Sequence, residues 1–292
     1  MKSYVRSGQM AREFTPVQLI ERTIVRRYHE ELWSPFCKAV KRYQLIQPGD
    51  KIAVCISGGK DSMLMAKMMQ MLSRHTEIPF EVVFLIMDPG YNPLNRQRVE
   101  ENARFLEIPY TIFESDIFEV ANSQDKNPCF LCARMRRGCL YGKAKELGCN
   151  KIALGHHFDD VIVTTVMGMF YGGQLQAMSP RLKAKNFPGM ELIRPLYLVR
   201  EDDIIAWARA NDLHFIQCAC RFTENNPGGR EDHSGSKRLE IKQLIRSLKE
   251  INPTIESNIF SSIHALQLDT MVGWKYKGKE YSFLDTIKDD DP

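Results

Sequence analysis

No apolar run in this 292-residue sequence approaches the roughly 18 residues that a membrane-spanning helix needs. Its start, Met1-Lys2-Ser3, lacks the apolar stretch of a secretory signal, so a cytoplasmic location without a membrane partner is expected. Excess charge of either sign is also missing. The 40 Lys and Arg against 36 Asp and Glu leave a formal net charge of +4 and a pI near 8.5, which permits a nucleic-acid partner without demanding one. A Walker loop is absent, because no glycine and lysine stand at the G-x-x-x-x-G-K-[ST] spacing. What is present is an ordinary globular composition, 43% hydrophobic and 26% charged. That length holds one large α/β domain with additions, or two small domains. Eight cysteines in a cytosolic chain argue for metal or redox use and against a disulfide framework.

The chain is organised around Ser57-Gly58-Gly59-Lys60-Asp61-Ser62. The apolar run Lys51 to Ile56 predicts a buried strand, and Met63, Leu64, Ala66, Met68 and Met69 predict a packed helix. Two glycines at the junction let backbone N–H groups approach a ligand with no Cβ in the way. The helix N-terminus adds unpaired donors and the positive end of its dipole, which suit a phosphate. Lys60 supplies a cation, Ser57 and Ser62 supply hydroxyls, and Asp61 is either a helix cap or a metal ligand. Ser-Gly-Gly-Lys-Asp-Ser resembles the pyrophosphate loop of the N-type ATP pyrophosphatases, doubly wound α/β enzymes that cleave ATP to AMP and pyrophosphate.

Around this loop, residues 15 to 45 predict one or two amphipathic helices interrupted at Pro35. Strands are expected at Phe80–Met87, Tyr110–Phe113, Lys151–Leu154 and His214–Gln217, with helices at Asn95–Leu106 and Val161–Phe170. Such alternation implies a parallel sheet with helices on both faces and ligands at the strand carboxyl ends. Gly155-His156-His157-Phe158-Asp159-Asp160 follows a strand as the Ser57 loop does, so both are expected to line one site. Asp160 there is either a helix cap beside exposed histidines, or with Asp61 a holder of Mg²⁺ on ATP phosphates, with His156 near ribose or base. Helices are also expected at Ser236–Leu248 and Pro253–Leu268. Asn225 to Asp232 reads as a mobile loop, and the acidic end from Asp289 as frayed.

Cys129-x-x-Cys132 at a helix start sets two sulfurs close enough for one metal, one cluster or a disulfide. Cys218-Ala219-Cys220 comes much later, after the strand at 214–217. Two readings stay open: a structural zinc held by all four, or a 4Fe-4S cluster held by three cysteines with one iron open. Cys37, Cys139 and Cys149 read as structural. Arg134, Arg136, Arg137, Lys143, Lys145, Arg181, Lys183 and Lys185 are either solvated faces or phosphate contacts for RNA. Tyr171 reads as either a packing residue or a stacking platform for a base.

The Ser57–Ser62 loop, Cys129-x-x-Cys132-x-Arg134-x-Arg136-Arg137-Gly138, Gly155-His156-His157-x-Asp159-Asp160, Met169-Phe170-Tyr171-Gly172-Gly173, Arg194-Pro195-Leu196 and the late cysteine pair occur in this order. Over residues 50 to 220 the set resembles the tRNA 2-thiocytidine synthetases of the wider lysidine-synthetase superfamily. That resemblance implies ATP, Mg²⁺, a three-cysteine 4Fe-4S cluster, and sulfur insertion at C2 of a cytidine in the tRNA anticodon loop. By position it assigns Cys129, Cys132 and Cys218 to the cluster, with Cys220 as the alternative, because the family's late pair is Cys-x-x-Cys and this one is Cys-x-Cys. ATP binding falls to Ser57, Gly58, Gly59, Lys60, Asp61, Ser62, Gly155 and His156, catalysis to Lys60, Asp61 and Asp160, and Mg²⁺ to Asp61 and Asp160. The expected architecture is a Rossmann-like doubly wound domain over 50–220, with helical additions at 1–49 and 221–292. Expected partners are tRNA, a second copy of the chain, and a sulfur donor such as a cysteine desulfurase. The rival families are 2-thiouridine-forming sulfurtransferases, whose terminal zinc-finger cysteine pairs are missing here, and adenylating amidotransferases or ligases with a structural zinc.

Overall fold

The computed structural model describes residues 13–115, 117, 128–216 and 237–285, with backbone alone at 128–133. Six strands form one sheet in the order β3-β2-β1-β4-β6-β5. They are β1 (Lys51–Ile56), β2 (Glu81–Asp88), β3 (Tyr110–Glu114), β4 (Lys151–Ala153), β5 (Arg181–Lys183) and β6 (Glu191–Ile193). All pairings are parallel except β5 with β6. The chain winds outward from β1 to β3, then returns to place β4 on the other side of β1. The switch point therefore lies between β1 and β4, where a doubly wound sheet opens its ligand crevice.

β1 is buried along Ile52–Ile56, as expected of a central parallel strand covered on both faces. On one face lies α3 (Lys60–His75), whose Met63, Leu64, Met65, Ala66, Met68, Met69 and Met71 are all buried. At about 1.5–3 kcal/mol for each large apolar side chain buried, this helix is a main contributor to the core. The N-terminal segment packs on the same core through Ile20, Ile24, Leu32 and Phe36. It runs as α1 (Pro16–Arg22), two π-helical turns (Thr23–Arg27 and His29–Trp33) and α2 (Ser34–Arg42). A buried ion pair pins it: Lys67 of α3 meets Glu21 at 2.6 Å and donates to Leu106 O. The break falls at Tyr28 and not at Pro35, which occupies the first turn of α2, where a missing N–H costs nothing.

The remaining helices of this region are α4 (Pro93–Phe105), α5 (Pro128–Glu146), the start of α6 (Phe158–Gly172) and α7 (Glu201–Ala210). One expectation fails here. His214 to Ile216 is irregular, because after α7 ends Phe215 stacks on Trp207 at 6.4 Å instead of joining the sheet. Residues 181–193 supply two three-residue strands too short to show a period.

The fold divides into two compact units, residues 1–161 with 178–234, and residues 162–177 with 235–292. The second contains the later part of α6, α8 (Lys237–Ile251), α9 (Ile255–Ser262) and a hairpin of β7 (Gly273–Tyr276) and β8 (Lys279–Ser282). Lys249 pairs with Glu256 at 2.7 Å, and Trp274 stacks on Tyr281 across the hairpin. Tyr171 lies in this unit, 39% exposed, with the Lys237 ammonium 4.7 Å from its ring centroid. The predicted helix over 253–268 is shorter than expected, since Ile263 ends it and only a 3₁₀ turn (Leu268–Thr270) follows.

Candidate active site

Two loops leave the carboxyl ends of neighbouring strands and meet. The first, after β1, turns at Gly58, whose φ of +83° belongs to the left-handed region. A Cβ there would also collide with Val99 and Ile216. The loop is closed by Ser62, whose hydroxyl donates to Gly59 O at 2.9 Å and accepts from Ser57 N and Ser57 Oγ, both at 3.1 Å. Tyr91 donates to Ser57 O at 3.1 Å and fixes the loop from the β2 side. The second loop, after β4, passes so close that a Cβ on Gly155 would lie 3.0 Å from Ser62 N and 3.2 Å from the Asp61 carbonyl carbon. Glycine is required here by proximity alone.

Between the loops opens a cavity of about 300 Å³ lined by Ser57, Asp61, Ser62, Gly155, His156 and Arg137, with Cys55, Ile56, Met87 and Leu154 as its apolar part. The first turn of α3 points its unpaired N–H groups and positive dipole end toward it. His156 is held neutral, its pKa pushed down to about 4 by burial and then by the nearby Arg194 guanidinium. Its buried Nδ1 has no hydrogen-bond partner among the described residues.

Beside the cavity lies a charged cluster. Lys60 Nζ sits 3.1 Å from Asp61 and 3.1 Å from Glu201, at the start of α7. Burial opposes its charge, but the two carboxylates outweigh burial and raise its pKa. Asp61 is raised mainly by burial, with His157 and Lys60 working against that shift. His157 is 2% exposed, and its ring lies 3.9 Å from Asp61, 3.6 Å from Asp159 and 3.5 Å from Asp160. Asp159 accepts from Glu201 N at 2.7 Å and Arg200 at 3.1 Å, which ties α6 to α7. Asp160 accepts from His157 N at 3.1 Å, half of a capping box. The cap reading of Asp160 is therefore satisfied, whereas His157 is buried and His156 half-buried, and neither is an exposed loop residue. Asp61 caps nothing: Gly59 is the N-cap of α3 and has no side chain to bond there.

All the residues expected to bind ATP thus fall on one rim, with Asp160 within reach of the same histidine as Asp61. Glu201 and Arg200 have no place in the sequence reading, whereas Asp159 and Arg194 stand in its motifs without an assigned role. The signal for Glu201 was present, since Glu201-Asp202-Asp203 after Arg200 is an acidic helix start. Cys129 and Cys132 are the second and fifth residues of α5, as the helix-start reading expects. Their side chains, together with Cys218, Cys220 and the loop 225–232, lie outside the described residues, as does the acidic end from Asp289. Among the described residues no three His, Cys, Asp or Glu side chains converge as a ready cage for a metal ion. No helix among them is long and apolar enough to cross a membrane.

A profile of the PP-loop domain matches residues 32–220. The tRNA-cytidine(32) 2-sulfurtransferase of Syntrophotalea carbinolica is 36% identical over 233 residues, covering 79% of this chain and 86% of that protein. The enzyme of the same name from Alkalilimnicola ehrlichii is 36% identical over 232 residues, 78% of this chain and 71% of the relative. That from Neisseria meningitidis serogroup C is 40% identical over 183 residues, 62% and 57% of the two chains. Among solved structures, the U34-tRNA thiolase NcsA from Methanococcus maripaludis with its 4Fe-4S cluster superposes with a TM-score of 0.60. It covers 80% of this chain and 77% of its own at 21% identity, a likeness of fold.

Proposed function

The chain belongs to the tRNA-cytidine(32) 2-sulfurtransferase family of PP-loop proteins, and on that premise we propose that it exchanges the C2 oxygen of an anticodon-loop cytidine for sulfur at the expense of ATP. The observation that carries the reading is the β1/β4 rim. A glycine loop and helix N-terminus for phosphate stand there beside a half-buried carboxylate, Asp61, whose Oδ1 lies 3.1 Å from the Lys60 ammonium and accepts no hydrogen bond among the described residues.

ATP enters with its phosphates against the first turn of α3 and Lys60. Lys60 and Arg200 stand among four carboxylates, Asp61, Asp159, Asp160 and Glu201. Asp61 and Asp160, which face the same buried His157, would hold a hard divalent cation such as Mg²⁺. Its charge would help stabilise the leaving pyrophosphate. The cytidine O2 displaces pyrophosphate from the α-phosphorus, and the C2–O bond then breaks with AMP as the leaving group when sulfide attacks C2. Lys60 and the α3 N–H groups stabilise the charge building on pyrophosphate. Neutral His156 offers one donor and one acceptor to ribose or base.

Cys129, Cys132 and Cys218, with Cys220 as the alternative third ligand, would hold a 4Fe-4S cluster. Residues three apart on a helix share a face, and thiolates are the ligands such clusters take, so the described backbone of α5 fits the group. When bound, the cluster supplies an iron with affinity for the incoming sulfur. We place the protein in the cytoplasm as a homodimer that draws sulfur from a donor such as a cysteine desulfurase.

AMP and pyrophosphate formation that depends on unthiolated tRNA is the expected result; ADP as product overturns the reading. Cys129→Ala, Cys132→Ala and Cys218→Ala should each lose iron and the brown absorbance of the cluster while ATP binding survives, whereas Cys220→Ala should keep both. One zinc and no iron in anaerobically purified protein would point instead to a structural site.

A further inference from the structure

The basic residues between the cysteines and residue 185 are not equivalent once placed. Lys143 pairs with Glu146 at 2.8 Å along α5. Arg181 is held by Glu191 at 2.8 and 3.1 Å and donates to Gln44 O, so it anchors the β5–β6 hairpin. Arg134, Arg137, Lys183 and Lys185 have no carboxylate within ion-pair distance among the described residues, and the four share one groove.

That groove, about 670 Å³, runs between α5 and the β5–β6 hairpin, with Arg134 and Arg137 on one bank and Lys183 and Lys185 on the other. Among the described residues no acidic one lines it. Its floor is apolar: Tyr141 and Phe187 stack at 5.0 Å and 19°, and Leu192 lies with them. The hairpin bank is a firm one, because Ala184 N donates to Met190 O at 2.9 Å and Met190 N to Phe187 O at 3.0 Å. Arg137 lines both this groove and the 300 Å³ cavity at the phosphate loop. The groove therefore opens beside the place where ATP is expected to react.

We propose that this groove seats the single-stranded RNA flanking the target cytidine, its phosphates against Lys183, Lys185 and Arg134 and its sugar and base faces over the apolar floor. Four cations with no carboxylate partner among the described residues, above an aromatic floor, match the charge and flat apolar faces of an unstacked RNA strand. A duplex would offer phosphates but few exposed base faces. Arg137, at the junction, is the gate past which the unstacked cytidine reaches ATP. This inference rests on the tRNA-thiolating reading and adds the surface by which tRNA is held.

The test uses the full-length holoprotein and an unmodified tRNA transcript, with the double variant Lys183→Ala/Lys185→Ala. Neither lysine belongs to the ATP site, so ATP affinity should be unchanged. Binding of tRNA should weaken at least tenfold, and the slope of log K against log salt should fall by about 1.4, the loss of two single-strand phosphate contacts. The KM for tRNA should rise in step, and Lys183→Arg/Lys185→Arg should restore it. Unchanged affinity and salt slope in the alanine variant, with tRNA-dependent AMP formation intact, overturn the groove alone. A wild-type protein that binds no tRNA overturns the groove and the functional reading together. Retained RNA binding with lost sulfur delivery would hand the groove to a protein donor, and so also overturns it. Should the double variant fail to fold, Lys185→Ala in the exposed turn gives the same readout with half the change in slope.

Discussion

Strands β1 and β4 carry a cluster of buried charge at each end, and the two clusters are built on opposite principles. At the amino ends, Lys151 is 2% exposed and Asp50 5% exposed. Lys151 Nζ lies 2.5 Å from Asp50 and also donates to Leu45 O at 3.0 Å. Asp50 further accepts from Asn150 at 2.7 Å and from Gln47 N at 2.6 Å. Neither side chain has a buried polar atom left without a partner. At the carboxyl ends, Lys60, Asp61, His157, Asp159, Asp160 and Glu201 are equally crowded, yet His156 Nδ1 and His157 Nδ1 are buried without hydrogen-bond partners among the described residues, and Asp61 Oδ1 has only the charge of Lys60 beside it. Buried polar groups left unpaired cost about 1–3 kcal/mol each, and proteins retain them where a ligand completes the set. Saturation at one end and deficit at the other separate a structural ion pair from a binding site, though both look alike as lists of charged residues.

Breaking the deficient end should abolish turnover and spare the fold. Lys60→Ala or Asp61→Ala is expected to lower AMP formation by about 10²–10³, since each removes a group aimed at developing phosphate charge. Glu201→Gln, which leaves Lys60 held by Asp61 alone, should lose less, about tenfold. Melting temperatures near that of the wild type would accompany all three, because Lys60 and Asp61 are each about a quarter exposed. Retained turnover in the first two would mean that the rim is not where ATP reacts.

Breaking the saturated end should do the reverse. Asp50→Ala strands the Lys151 ammonium in the core and should cost about 3–5 kcal/mol, whereas joint replacement of Asp50 and Lys151 by apolar residues should recover much of that loss. Denaturant titration gives the stability, and kcat of the folded fraction should not move. A changed kcat with unchanged stability would erase the distinction between the two ends.

The smallest effect concerns pH. His156 is neutral in the folded protein down to about 4, against an ordinary value of 6.5. The unfolded chain therefore binds a proton that the folded protein refuses between those values. The stability His156 contributes is complete above pH 6.5 and declines as pH falls toward 4, by at most about 1.4 kcal/mol for each pH unit. His156→Gln should flatten the fall in melting temperature from pH 6.5 to 4.5; an unaltered slope would show that this histidine is not buried as described.

The sequence by itself determined what depends on neighbours along the chain. The apolar run Lys51–Ile56, the glycine break and the apolar residues after it specified a strand, a glycine turn and a helix, because local sterics and burial act within a few residues. Cysteine spacing placed Cys129 and Cys132 at a helix start for the same reason. The tertiary structure alone decided which charges meet. Glu201 reaches Lys60 from 141 residues away, and only the winding of β1, β4 and α7 brings them to 3.1 Å. It also sorted residues that look interchangeable in sequence: Arg181 is consumed by Glu191 while Lys183, two residues on, faces the open groove. Strands β5 and β6 are legible only there, since three residues carry too short a period to announce themselves; β6 is ordered by pairing with β4, and β5 by pairing with β6.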